Sequence, residues 1–426
     1  MRALYICLLG PMVAMACGGS VASDPVGPDG GAVSAPDAGI DSAAPDVPDA
    51  APPVAYPAFH PDAPQVKTSG GPVLKTPKVR PVYFPGFPYA KEMDDYAAKI
   101  GASSYWAPMS EYGVGPIDAA PSITLAETAA QNLDDNDIQS WLLSRFDGTH
   151  PEWGNTPDPD TIYTLYYPSS TTITLGGAPS QGGSTSCQNF GGYHNNTLLQ
   201  NIAIAYAVIP DCGSFGNLSG LDAISATVSH ELQEAATDPY PQDQPAYAQV
   251  DDNHLVWQSF LGGGEVGDLC AQFSSSQYTP TDFPYVVQRG WSNKSAKAGT
   301  DPCQPKIDAT PYFNTAPVFP DKVPSRYGIL TKGVKVPVGQ SKTIELDLYS
   351  DAPTSGPWTV SAQVLGKGGA SPVTLAFDKT TGQNGDKINL TITAKTAFTN
   401  TTKTGTLMIN SQLGQTRRIW LGVVGN

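Results

Sequence analysis

From Ser20 to about Gln65 the chain is built almost wholly of Pro, Ala, Asp and Gly, with hardly a large apolar side chain. Such a stretch cannot bury enough surface to offset the entropy of ordering it, so any core must come from the residues beyond Gln65. It reads as a stiff, acidic, extended spacer. The residues before it suggest what is being spaced. Met1 and Arg2 give a minimal positive start, and Leu4 to Ala16 is almost wholly apolar. That run is too short to span a bilayer comfortably and has the length of a signal-peptide core.

The run closes on Ala14-Met15-Ala16-Cys17-Gly18-Gly19. Ala-x-Ala is an ordinary secretory cleavage signal. The same residues also resemble a bacterial lipobox, in which the Cys is lipidated and becomes the first residue. The expectation is a signal peptide over 1–16 and a lipid-anchored Pro/Ala/Asp-rich linker over 17–66, with the membrane as a partner through lipidated Cys17. If Cys17 is not lipidated, the protein is secreted; either way it is extracytoplasmic. Cysteine arithmetic leans the same way. With Cys7 removed and Cys17 lipidated, Cys187, Cys212, Cys270 and Cys303 remain, an even number suited to an oxidising compartment. Pairing of sequence neighbours is favoured, Cys187 with Cys212 and Cys270 with Cys303. The net charge of −15 argues against nucleic acid as a partner.

Beyond the spacer the chain changes character once. Residues 67–318 mix strands and helices. Thr161 to Tyr167 and Ile202 to Ile209 read as strands stopped by proline, and Lys78 to Phe84 as a strand that Pro81 places at a sheet edge. Helical spacing occurs over Lys91–Ile100 and Asp137–Phe146, and over Leu221–Thr237 with Asp222 near its start and Pro239 after its end. This predicts an α+β domain. Residues 319–426 carry short alternating runs, such as Lys342–Leu348, Lys387–Ile392 and Gly405–Ile409, separated by turn-rich segments. They predict an all-β immunoglobulin-like sandwich.

One stretch carries chemistry: Ser229-His230-Glu231-Leu232-Gln233-Glu234-Ala235-Ala236-Thr237-Asp238-Pro239. On a helix, His230 and Glu234 lie one turn apart on one face, and both can reach one divalent ion at about 2 Å. Glu231 sits beside that ion without reaching it. In HExxH metallopeptidases the residue at this position takes a proton from the attacking water. Here Glu234 stands where the second His would be. A third ligand must come from elsewhere, and Glu265, Asp268, His194 and Asp238 are candidates; His254 and His150 are weaker ones. The bland reading of the same helix is a charged, solvated face opposite an apolar stripe of Ile224, Val228, Leu232 and Ala235.

The ordered set of motifs is more specific than any one of them. It runs Gly70-Gly71-Pro72-Val73-Leu74, Ser110-Glu111-Tyr112-Gly113-Val114-Gly115, Gly191-Gly192-Tyr193-His194 and Tyr206-Ala207-Val208-Ile209-Pro210. It continues with His230 to Glu234, Thr237-Asp238-Pro239 and Glu265-Val266-Gly267-Asp268-Leu269-Cys270. Over roughly residues 70–305 this resembles a group of secreted bacterial zincin-like proteins, distantly similar to the plant Exordium or phosphate-induced secreted proteins. The resemblance implies a zincin-like fold, with an edge strand at Ile202 to Ile209 beside the helix bearing His230. It also implies His230 and Glu234 as ligands and Glu231 as base.

The expected function is that of a zinc-dependent hydrolase, most simply a peptidase acting on an extracellular protein or peptide. His230, Glu234 and one of Glu265, Asp268 or His194 would hold Zn²⁺, and Ser229, Thr237 and Asp238 would orient them. The rival expectation is a non-catalytic cell-surface adhesion or binding protein with a degenerate zincin-like domain. A third is Ca²⁺ held for structure by Asp238, Glu265 and Asp268, which would leave His230 idle.

Overall fold

The computed structural model describes residues 55–177, 183–273, 275–325, 327–365 and 371–426. The expected signal segment, Cys17 and the spacer up to residue 54 lie outside the described residues. Strand outweighs helix along the chain, and the strands fall into several sheets.

The sheet that positions the site has the order Asp118–Ala119, Lys78–Tyr83, Thr161–Tyr167, Ile202–Pro210, Tyr193–Leu199, with Ile123–Thr124 also pairing Lys78–Tyr83. Its central strands are parallel, and only Tyr193–Leu199 runs antiparallel to its neighbour. Ile202–Pro210 is therefore interior, which corrects the edge position that the family resemblance implies. The edge belongs to Tyr193–Leu199. A two-residue turn at Gln200 and Asn201, both at positive φ, folds that strand back onto its successor. Pro81 does not mark an edge either. Lys78–Tyr83 is paired on both sides, but on one side the partners are two short strands that contact Lys78–Val79 and Val82–Tyr83 and skip Arg80–Pro81. A proline has no N–H to give to a ladder, and the break sits where that matters.

Alternation along the strands sorts their side chains onto two faces. Val82, Tyr163, Leu165, Tyr167, Ile204, Tyr206 and Val208 pack with Ile138 and Leu142 of the helix Asp135–Ser144. Ile162, Tyr166, Ala203, Ala205, Ala207 and Ile209 face the other way, into the cluster holding Ile224, Val228, Leu232, Ala235 and Ala236 of the helix Gly220–Thr237. Burying Ile224, Val228 and Leu232 there contributes about 1.5–3 kcal/mol each. The expected solvated face of this helix does not exist. From Ala223 to Asp238 every residue except Thr227 is buried, His230, Glu231 and Glu234 included.

The C-terminal part forms two sheets. One has the order Phe313–Pro317, Ser341–Ser350, Lys387–Ala394, Val373–Phe377. The other runs Asp321–Pro324, Leu330–Lys335, Thr416–Gly425, Thr404–Leu413, Trp358–Leu365, Thr381–Gly382. Inward residues such as Ile344, Leu346, Ile388, Leu390, Leu407 and Ile409 fill the space between them. Buried Trp358 anchors the pair through Nε1, which donates to Thr315 Oγ1 at 3.0 Å. Residues 55–66, which composition assigns to the spacer, are partly packed against the folded chain. His60 stacks on Tyr349, Ala58 N donates to Asn384 Oδ1, and Val66–Lys67 pairs with Gln249–Val250.

Both disulfides join the expected sequence neighbours, Cys187 to Cys212 and Cys270 to Cys303. Such bonds are compatible with an oxidising, extracytoplasmic setting. Among the described residues no helix is long and apolar enough to cross a membrane. The second disulfide closes a sequence separation of 33 residues. By loop-closure entropy the double substitution Cys270→Ser/Cys303→Ser should cost about 3–4 kcal/mol, read as a lower urea midpoint of the full chain.

Candidate metal centre

Register brings the first ligands together. His194 lies opposite Ala207 in the hairpin, so it shares the face of Ala207 and points toward the helix Gly220–Thr237. Its neighbours Tyr193 and Asn195 point the other way and bind the Asp135 carboxylate. On the helix, the one-turn spacing places His230 Nε2 3.2 Å from Glu234 Oε1. Asp268 opens the short helix Asp268–Ala271. Its backbone N–H donates to Glu234 Oε1 at 3.1 Å, and its Oδ1 lies 4.0 Å from His230 Nε2. Its Oδ2 accepts from the Glu265 N–H at 3.1 Å.

His194 touches the same cluster from the sheet. Nδ1 is 3.6 Å from Glu234 Oε2 and 3.7 Å from Glu231 Oε2, and Nε2 is 3.7 Å from Glu265 Oε1. Asp238 closes the ring at the end of the helix, where its Oδ1 accepts from the Ala246 N–H at 2.6 Å. The structure thus unites His194, His230, Glu231, Glu234, Asp238, Glu265 and Asp268. Three groups of ligand atoms each lie within 4.8 Å of one another: His194, Glu231 and Glu234; His194, Asp238 and Glu265; His230, Glu234 and Asp268. Every one includes an imidazole. The all-oxygen trio of Asp238, Glu265 and Asp268 is not among them.

The other expected residues fall into place around this ring. Ser229 Oγ donates to the Ala226 carbonyl and accepts from the Gln288 N–H at 2.8 Å, pinning the strand Val287–Gln288 to the helix. Thr237 Oγ1 donates back to the Gln233 carbonyl within its own helix. His254 pairs with Asp251 and His150 lies beside Glu152, both away from the cluster.

Several residues that matter here carried no sequence signal. Gln288 Nε2 donates to the Gly267 carbonyl and lies 2.7 Å from His230 Nδ1, fixing the ring. In that arrangement the ring proton sits on Nε2. An ion on Nε2 requires the proton on Nδ1 and the Gln288 amide turned to accept it. Gln233 bonds Tyr105 and the Gln288 carbonyl. Gly267 lets its segment approach the ligands, because a Cβ there would stand 2.7 Å from Glu234 Oε1 and 2.8 Å from His230 Nδ1.

Burial governs the electrostatics. It is the largest influence on Glu265, whose pKa is pushed well above the usual carboxylate range with help from Glu234, Asp238 and Asp268. Burial also raises Glu231 and Asp238. For Glu234 burial is outweighed by His230 and His194, so its pKa falls below the usual range. Burial opposes charge on His194, and Glu231 and Glu234 overcome it, holding its pKa up at about 10.

These residues fit a small divalent ion. Two atoms bound to one such ion at about 2.0–2.1 Å, at the tetrahedral angle, stand about 3.3 Å apart. The facing pairs above lie at 3.2 to 4.0 Å. His194 Nε2, Glu265 Oε1 and Asp238 Oδ2 are buried without any hydrogen-bond partner, a costly state that an ion would relieve.

No family model matches this chain, and no curated protein matches it. Partial similarities exist among solved structures. Domains 1–6 of the surface layer protein SbsC share 16% identity over 28% of this chain, at a TM-score of 0.19. The match spans only 14% of that chain. Domains 4 and 5 of the S-layer protein SbsC show 13% identity over 32% of this chain and 89% of that one, with a TM-score of 0.17. The titin M4 domain shows 13% identity over 28% of this chain and 98% of that one, with a TM-score of 0.16. Overlaps this slight carry no conclusion about the chain.

Gly267 offers a clean test of the cluster. Its backbone is right-handed helical, φ −74° and ψ −45°, so alanine meets no backbone strain and only the ligand contacts suffer. Gly267→Ala should weaken metal binding by about 10- to 100-fold, with an unchanged circular dichroism spectrum. Competition against a chromophoric chelator measures it.

Proposed function

We propose that the protein is an exported, zinc-dependent, zincin-like hydrolase acting on an extracellular peptide or protein, tethered to the membrane through lipidated Cys17 or secreted. The observation that carries the reading is the convergence of His230, Glu234 and Asp268, from a helix and a separate loop, beside Glu231. His230, Glu234 and Asp268 would hold the zinc, and an imidazole with two carboxylates is a donor set that zinc accepts. When bound there, zinc supplies Lewis acidity that polarises a carbonyl and makes a water acidic near neutral pH. Glu231 would take the proton from the attacking water and give it to the leaving amine. Burial raises its pKa, and a base poised nearer neutrality does that work better than an ordinary carboxylate. Ser229 and Gln288 orient His230.

One observation favours a second reading. All seven clustered side chains are buried, the most exposed being His194 at 8%. A sealed site suits a structural metal in a non-catalytic surface adhesion or binding protein, whose sandwich would make the contacts.

The two readings separate with the full chain exported into an oxidising compartment, its zinc measured by elemental mass spectrometry and its cleavage by a fluorogenic peptide library. The hydrolase reading expects zinc and cleavage in the wild type. Glu231→Gln should keep the zinc and lose about 10²- to 10⁴-fold in turnover, and His230→Ala should lose the ion at that site. Zinc without cleavage in the wild type would move the assignment to the binding protein. A folded wild type without zinc would end the metal reading.

A further inference from the structure

Three of the seven clustered groups are more than one ion at His230 can use. If His230, Glu234 and Asp268 hold the first ion, His194, Asp238 and Glu265 are left as a second complete set. They come from three separate elements: the edge strand, the last turn of the helix Gly220–Thr237, and the loop before Asp268–Ala271. Their ligand atoms lie within 4.8 Å of one another. His194 Nε2 stands 3.7 Å from Glu265 Oε1. Each of the three offers a buried atom that no donor or acceptor of the chain satisfies while the carboxylates are ionised, His194 Nε2, Asp238 Oδ2 and Glu265 Oε1; a proton held between Asp238 and Glu265 is the alternative to an ion. The three residues are 8%, 0% and 2% exposed. Unpaired polar atoms this deep are rare in a native fold unless something absent from the chain itself satisfies them.

Charge argues the same way. Five carboxylates, Glu231, Glu234, Asp238, Glu265 and Asp268, share this enclosed volume with two imidazoles. Among the described residues no Lys or Arg pairs with Glu231, Glu234, Asp238 or Glu265. Buried charge is retained only when paired.

We propose that the protein binds a second divalent transition-metal ion through His194 Nε2, Asp238 and Glu265, making the centre a two-metal one. The proposal rests on the first ion occupying His230, Glu234 and Asp268. The imidazole nitrogen sets the metal class, because a nitrogen donor favours zinc, iron, nickel or copper over Ca²⁺. An ion on Nε2 puts the ring proton on Nδ1, which faces Glu231 and Glu234. That is the carboxylate–histidine–metal arrangement in which an outer carboxylate fixes the tautomer. The second ion would thus orient His194 and, through it, the carboxylate of Glu231.

The test is zinc stoichiometry of the full chain, stripped by chelator and dialysed against micromolar zinc chloride with calcium in excess, read by elemental mass spectrometry. Glu265→Gln preserves size, and His194→Ala removes the nitrogen; circular dichroism confirms folding of each. The proposal expects two zinc ions in the wild type and one in Glu265→Gln, His194→Ala and His230→Ala alike. One zinc in the wild type, kept in Glu265→Gln and His194→Ala and lost in His230→Ala, overturns the second site while leaving the first intact. Orphaned Asp238 and Glu265 would then be sharing a proton. One zinc lost in His194→Ala but kept in His230→Ala overturns the first site, and the two-metal centre with it. No zinc in the folded wild type overturns both.

Discussion

The close approach of the helix Gly220–Thr237 to the sheet governs everything else at the site. Ala203, Ala205 and Ala207 line the sheet face beneath it, and Ala235 and Ala236 answer from the helix. Small side chains on both surfaces let the backbones come near and leave room for polar groups beside the apolar contact. Because His194 is the cross-strand partner of Ala207, the same approach brings its ring within 3.7 Å of Glu231 and Glu234. A larger residue at Ala207 would lift the helix and separate the imidazole of the strand from the carboxylates of the helix.

The cluster is expensive to fold without an ion. Desolvating several carboxylates together raises the pKa of Glu265, Glu231 and Asp238, and the imidazoles cannot neutralise them all. The sequence tolerates this cost and adds devices that make sense only if the arrangement is useful. Gly267 and Gly263 occupy positions where any side chain would strike Glu234 and His230 or Asp268. Ser229 and Gln288 together fix the ring of His230. Local consistency is given up in one small volume and recovered in the apolar clusters on both faces of the sheet.

The loop that delivers Glu265 and Asp268 is held from behind. Trp291 N donates to the Val266 carbonyl, Tyr112 Oη to the Trp291 carbonyl, and the Cys270–Cys303 bond closes the segment. Trp257 packs on both Trp291 and Trp420, the latter in the sandwich strand Thr416–Gly425. Arg289, fully buried, bonds Asp301, which also lies 3.7 Å from Arg418 of that strand. The strand Thr416–Gly425 of the sandwich therefore buttresses the loop bearing Glu265 and Asp268, contributing to the rigidity of the cluster without adding a residue to it.

Periodic, strongly apolar segments were legible from the sequence. Thr161–Tyr167 appears as the strand its residues predict, the helix Gly220–Thr237 begins one residue before the expected start, and both disulfides join sequence neighbours. The helical spacing of His230 and Glu234 likewise came from local geometry alone. Tyr193–Leu199 was missed because His194, Asn195 and Asn196 are poor strand formers, and Gln200-Asn201 is not the Asn-Gly signature of a tight hairpin. The strand exists because its neighbour supplies a ladder. Sequence named Glu265, Asp268, His194 and Asp238 as alternatives for a single place. Only the tertiary structure assembles them all, since cross-strand register and the approach of a distant loop are long-range facts that no local spacing encodes. Burial was decided there too: the same alternation of polar and apolar residues describes a solvated helix face and one sealed against a sheet, and the difference is what the rest of the chain lays over it.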